Sequence, residues 1–181
     1  MINSARPSWD DYFVEIAHSV SHRANCLRRK VGALIVVEHR IISTGYNGTP
    51  FGVKNCNEGG CLRCASNAPR HQGYEICLCV HAEQNAIILA ARQGTSTDNA
   101  SLYTTLRPCL DCLKVAIQAG IREIVYDLPF GFNEPLEEVY NKLLTETSLI
   151  VRRNPLTEPL ETSINNDNEI EVSFDISEEK R

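Results

Sequence analysis

His81, Glu83, Cys109 and Cys112 are the side chains in this sequence whose types and spacing could do chemistry together. His81-Ala82-Glu83 opens one helical pattern, and Pro108-Cys109-Leu110-Asp111-Cys112 opens another. Cysteines three apart lie on one helix face. Two helix N-termini brought together make a positive environment that favours thiolates. Two thiolates and a neutral imidazole suit zinc, and three protein ligands leave a fourth tetrahedral position for water. Zinc lowers the pKa of such a water toward about 7. Glu83, not needed as a ligand, stands where it can take the water proton and pass it to the group being cleaved, which is general acid–base hydrolysis. Either half alone would read as a solvated helix start or a buried thiol pair. Their conjunction points to a catalytic metal.

Six further cysteines, at 26, 56, 61, 64, 77 and 79, are clustered rather than spread. Cys61-x-x-Cys64 and Cys77-x-Cys79 have ligand-like spacing, and in a reducing compartment such pairs favour metal over disulfides. Residues 51–79 show little periodicity, and a stretch that long needs something to order it. The expectation is a structural zinc, or two, drawn from Cys26, Cys56, Cys61, Cys64, Cys77 and Cys79 and pinning this segment against the His81 helix. For Cys26 alone, a small buried apolar role competes. His71 is a further possible ligand or a solvated loop residue.

The elements that must position these groups follow from pattern. Ser8 reads as an N-cap with Asp11 three residues on, and Trp9, Phe13, Ile16, Ala17, Val20 and Ala24 recur at helical spacing. Residues 31–37 and 41–44 read as a hairpin, closed by the turn residues of Gly45-Tyr46-Asn47-Gly48-Thr49-Pro50. A helix over 82–93 stops at Gly94, a strand covers 101–105, and a helix over 109–119 ends at Gly120. A strand over 121–126, a helix over 135–145 and a short strand over 149–151 complete an alternation that predicts a mixed sheet with helices on its faces. The expected organisation is one catalytic domain over 1–153, with a cysteine-rich insertion at 51–79, and an acidic tail over 154–181. Val172 and Phe174 alternate with polar residues in that tail, as an added edge strand would.

The chain has 181 residues, 43% hydrophobic and 23% charged, the balance of a globular domain. No apolar run reaches the roughly 18–20 residues of a membrane span, and the N-terminus lacks a secretory signal, so the expected compartment is the cytoplasm. The net charge is −5. Residues 151–181 hold four Lys/Arg and eight Asp/Glu, leaving −1 for residues 1–150. So neutral a core does not look like a polynucleotide binder, which usually shows a basic face. Arg28-Arg29-Lys30 could attract phosphate or simply be solvated. His18, His22 and His39 have no metal-like partners nearby and read as surface or helix residues.

The His-x-Glu…Pro-Cys-x-x-Cys pattern is that of nucleobase deaminases, in which water attacks C4 of cytosine or C6 of adenine. From about Trp9 to Tyr126 the chain also resembles the deoxycytidylate (dCMP) deaminase family. The resemblance rests on Ser8-Trp9-Asp10-Asp11-Tyr12-Phe13, Val31-Gly32-Ala33, Gly45-Tyr46-Asn47-Gly48-Thr49-Pro50, His81-Ala82-Glu83-Gln84-Asn85-Ala86-Ile87, Leu102-Tyr103-Thr104-Thr105 and Ala119-Gly120-Ile121. It implies a three-layer α-β-α fold with a mixed five-stranded sheet, a hexamer in many members, and control by dCTP (activating) and dTTP (inhibiting). It implies Asn47 beside the substrate sugar, the loop Tyr46-Asn47-Gly48 near an effector nucleotide, and in some members a second zinc on cysteines matching Cys26 and Cys56. Where the family usually has Ser before the Pro-Cys pair this chain has Arg107, which either meets the substrate phosphate or points into solvent. The expected reaction is dCMP to dUMP. The rivals are use of dCTP, a tRNA or other polynucleotide deaminase, a nucleoside deaminase, and a non-catalytic zinc-binding module. Glu83 argues against the last, because only catalysis requires a carboxylate there.

Overall fold

The computed structural model describes residues 6–66, 68–69 and 72–156. His71, the Val172/Phe174 strand and nearly all of the acidic tail lie outside the described residues. Helix α1 spans Trp9–Ser21 and begins as expected, with Ser8 Oγ accepting from the Asp11 backbone N–H. It stops one turn earlier than the spacing predicts. Ala24 is nevertheless buried, in the turn that follows. Strands β1 (Gly32–Val37) and β2 (Arg40–Tyr46) form the predicted hairpin around Glu38 and His39, both at positive φ. The short helix α2 (Leu62–Ala65) lies in the cysteine-rich segment, followed by α3 (Ala82–Arg92), β3 (Ser101–Leu106), α4 (Leu110–Gln118), β4 (Glu123–Leu128), α5 (Glu134–Glu146) and β5 (Ile150–Arg153).

The five strands are ordered β2-β1-β3-β4-β5. β1 pairs antiparallel with β2 and β3, while β3, β4 and β5 run parallel, so the sheet is mixed as expected. Alternation along the strands divides the core. Leu34, Val36, Tyr103 and Val125 meet Phe13, Val14 and Ala17 of α1 on one face. Ala33, Ile35, Leu102 and Ile124 meet Ala82, Ala86, Leu113, Ala116 and Tyr140 of α3, α4 and α5 on the other. The result is three layers, helix–sheet–helices.

Two glycines let helices lie directly on the hairpin. A Cβ at Gly32 would stand 2.1 Å from the Ala17 carbonyl oxygen of α1, and one at Gly45 would stand 2.2 Å from the Ala82 carbonyl oxygen and 2.4 Å from the Ala86 nitrogen of α3. Gly45 thus sets how closely the first turn of α3 approaches β2. Ser43 Oγ fastens the same contact by donating to the Ala86 carbonyl.

The C-terminal strand is tied to α1 by charge. Arg152 reaches Asp10 and Glu123, each at 2.7 Å, and Tyr103 Oη donates to Asp10 at 3.0 Å. The Arg152 hydrogen bond holds the Asp10 carboxyl below its ordinary 3.8. A carboxyl depressed on folding stabilises the fold above its unfolded pKa, and that contribution is lost as pH falls through the folded value. We expect the urea midpoint to fall below about pH 4, and Asp10→Asn to start lower at pH 7 and to flatten that part of the profile. Urea melts at pH 7, 5 and 3 check this, and parallel profiles would exclude the role.

Candidate metal and acid–base site

Helices α3 and α4 meet at their N-termini. His81 is the residue before α3, and its backbone N–H is accepted by Gln84 Oε1 at 3.3 Å. Cys109 is the N-cap of α4, its sulfur accepting from the Cys112 backbone N–H at 3.5 Å. His81 Nδ1 lies 3.3 Å from the sulfurs of both Cys109 and Cys112. Tetrahedral ligation at about 2.0–2.3 Å puts neighbouring ligand atoms about 3.5 Å apart, so this donor set fits zinc. Two soft sulfurs and one imidazole are the chemistry zinc takes.

The trio's own electrostatics favour a thiolate at Cys109. Hydrogen bonding from Cys112, together with His81, brings the Cys109 thiol down to about 4. The same Cys109 sulfur raises His81 to about 9 and pushes the Cys112 thiol up. Glu83, in the first turn of α3, is only 5% exposed. Burial raises its carboxyl pKa, against the opposing pull of its own backbone N–H, His81 and the Cys112 thiol. Burial of this kind favours the protonated carboxyl, the direction an acid–base group needs.

The entry to α3 is stapled to the loop after β2. Gly48 and Val80 exchange backbone hydrogen bonds at 3.2 and 2.8 Å, and Asn85 Nδ2 donates to the Tyr46 carbonyl at 2.8 Å. Asn47 is 8% exposed. Its Oδ1 accepts from Val31 N at 2.8 Å and its Nδ2 donates to the Arg29 carbonyl at 2.9 Å, leaving one amide N–H uncommitted by these two bonds.

Arg107 does not point into solvent. Its guanidinium makes a bidentate pair with Glu137 of α5 at 2.8 and 3.0 Å, and NH1 also donates to the Phe130 carbonyl. It stacks 4.3 Å from the Tyr140 ring centre and is not a solvated side chain. The planar fork is spent joining the strand-to-helix turn before α4 to α5. Arg107→Ala should cost about 1–3 kcal/mol, as expected for hydrogen bonds to charged groups, and leave KM for the substrate unchanged. Denaturant midpoints and initial rates test both halves.

Arg28 of the basic cluster also has a structural task, donating to the carbonyls of Arg63, Ser66 and Ala68 at 3.1, 3.1 and 2.9 Å. His18, read from sequence as an ordinary surface or helix residue, pairs with Asp127 of β4 at 2.7 Å. His39 stacks on Trp9. All six remaining cysteines converge: Cys26, Cys56 and Cys79 form one group of mutually close sulfurs, Cys56, Cys61 and Cys64 a second, and Cys61, Cys77 and Cys79 a third.

A three-layer α/β domain with a His–Cys–Cys trio and a buried glutamate where two helix N-termini meet is the class that fold and site define. Residues 7–128 match the family model described as the cytidine and deoxycytidylate deaminase zinc-binding region. The chain belongs to that family. It is 47% identical over 131 residues to the deoxycytidylate deaminase of Schizosaccharomyces pombe, covering 72% of this chain and 40% of the relative. It is 39% identical to that of Mycobacterium phage D29, covering 67% of this chain and 96% of the phage protein. The cyanophage S-TIM5 dCMP deaminase, solved with dCMP and dUMP, superposes with a TM-score of 0.63 at 30% identity, over 83% of this chain and 99% of that one. The chain spans less than half the length of the S. pombe and Saccharomyces cerevisiae deaminases it matches, 40% and 47% respectively. Among the described residues no helix is long and apolar enough to cross a membrane.

Proposed function

We propose that this chain catalyses zinc-dependent hydrolytic deamination of a deoxycytidine nucleotide, dCMP to dUMP, and so contributes to dTTP supply. The observation that carries the reading is Glu83 buried beside the His81–Cys109–Cys112 trio. The cyanophage relative, whose structure holds dCMP and dUMP, supports the substrate class. His81, Cys109 and Cys112 would hold zinc, which when bound supplies Lewis-acid activation of a water. Glu83 takes a proton from that water as the C4–O bond forms and delivers it to ring N3. It carries the second proton to the exocyclic nitrogen, which leaves as ammonia when the C4–N bond breaks. Protons and electrons balance as water plus dCMP giving dUMP plus ammonia, with one carboxyl acting twice.

The remaining amide N–H of Asn47 is the group left for the substrate sugar. The Tyr46-Asn47-Gly48 loop, stapled to Val80 and Asn85, is the place for a dCTP or dTTP effector to act on His81. Exposed Phe51, Leu62, Ile88, Leu136 and Val139 offer apolar surface for the homo-oligomer, a hexamer, expected of a cytoplasmic enzyme of this kind. The six-thiol cluster is read as holding structural zinc. A near-neutral core argues for a free nucleotide over tRNA or another polynucleotide.

The test is ammonia release from dCMP, dCDP, dCTP, CMP and deoxycytidine by zinc-replete protein, with dCTP or dTTP added as effectors. Turnover of dCMP above the others is expected. Turnover of dCTP instead would move the substrate, and none with any nucleotide would leave a zinc-binding module.

A further inference from the structure

The six cysteines outside the catalytic trio are arranged as two groups sharing a middle. Cys56 and Cys61 lie close to each other, and each is close to Cys64 on one side and to Cys79 on the other. Cys26 completes the first flank, within 4.8 Å of Cys56 and of Cys79 and 3.8 Å from Cys64. Cys77 completes the second, within 4.8 Å of Cys61 and Cys79. Burial follows the same division: Cys56 and Cys61 are 1% and 0% exposed, whereas Cys26, Cys64, Cys77 and Cys79 are only partly buried.

One tetrahedral ion can engage four of these sulfurs and would leave two idle thiols in contact with its ligands. Two ions need eight ligand contacts, which six sulfurs supply if two of them bridge. Cys79 also reaches Cys26, but of the sulfurs that touch both flanks only Cys56 and Cys61 are sealed from solvent. We infer that this segment houses a binuclear zinc–thiolate cluster in which Cys56 and Cys61 bridge, Cys26 and Cys64 complete one ion, and Cys77 and Cys79 complete the other. The inference rests on the reading that these thiols hold structural zinc, and it fixes the number of ions and the role of each sulfur.

Two further observations support it. Six thiolates and two divalent ions leave a net charge of −2, and backbone N–H groups are aimed at the sulfurs to spread it. Those of Arg28 and Arg29 reach Cys26, those of Arg63, Cys64 and Leu78 reach Cys61, and that of Leu27 reaches Cys64. The segment also has no apolar core of its own. Among its described residues only Cys56, Cys61 and Arg63 are buried, while Phe51, Leu62, Tyr74, Ile76 and Leu78 are exposed. Metal binding is then the main source of its folding energy. Cys79 stands two residues before His81, so the cluster also fixes where the chain enters α3.

The test is zinc content per chain in the Cys109→Ser/Cys112→Ser protein, which lacks two ligands of the catalytic trio. Two zincs are expected there and three in the unmodified protein. One zinc in the variant would overturn the bridged cluster while leaving a mononuclear structural site, and none would overturn the structural zinc as well. Should that variant not fold, the unmodified protein loaded with ¹¹³Cd gives the same answer. Two resonances of all-sulfur sites coupled to each other through shared thiolates are expected, beside a third, uncoupled one. A single all-sulfur resonance, or two without coupling, would sink the bridged arrangement.

Discussion

Replacing Glu83 with glutamine should lower dCMP turnover by about 10²–10⁴-fold, the usual worth of a positioned acid–base group, while zinc content stays unchanged. Glutamine has the same length and can accept or donate a hydrogen bond, but it cannot take a proton from water or return one to N3. His81, Cys109 and Cys112 are untouched, so the loss would not come from the metal. Stability should move the other way. Glu83 is buried and its carboxyl is raised by that burial, so a neutral amide removes a desolvation cost and the melting temperature should hold or rise. Ammonia release, metal analysis and a thermal melt on one preparation separate the three effects. Turnover within a few-fold of the unmodified protein would mean that another group moves the protons, and no other carboxylate has an assigned place at this trio.

The residues of that site were legible because each is marked locally. Gly94 and Gly120 end the two helices, Pro108 precedes one of them, and the ligands sit at helix starts where a two- or three-residue spacing fixes the geometry. The strand and helix alternation likewise follows from neighbours along the chain, and it gave the mixed sheet and the two-sided core. What sequence left out depends on packing between distant segments. Arg107 finds Glu137 thirty residues on, His18 finds Asp127 across 109 residues, and Arg152 finds Asp10 across 142. No spacing rule links such pairs. The cysteine-rich segment is intermediate. Its C-x-x-C and C-x-C spacings announced metal ligands, yet that Cys26 meets Cys64, and that Cys56 and Cys61 occupy the middle, required the three-dimensional arrangement. The end of α1 shows the converse: Ala24 keeps the apolar periodicity and is buried, but in a turn, so burial outlasted the helix.

The hairpin glycines allow position to be separated from stability. Gly32 and Gly45 face opposite sides of the sheet, and each is pressed by a helix backbone rather than by a movable side chain. Alanine at either site must push its helix away, an overpacking cost of about 1–3 kcal/mol. At Gly32 the helix displaced is α1, which bears none of the trio. At Gly45 it is the first turn of α3, which carries His81 and Glu83. A shift on the order of 1 Å in a catalytic group can cost about 10²-fold in rate. Gly45→Ala should therefore lower kcat/KM for dCMP by about 10- to 100-fold even where the protein is fully folded. Gly32→Ala should lose comparable stability and stay within about twofold of the unmodified kcat/KM, as expected if its helix positions no reacting group. Denaturation midpoints and initial rates at a temperature well below both melts would decide it. If the two variants lost activity equally, the approach of α3 to β2 would not be what positions Glu83, and the staple between Gly48 and Val80 would have to do so alone.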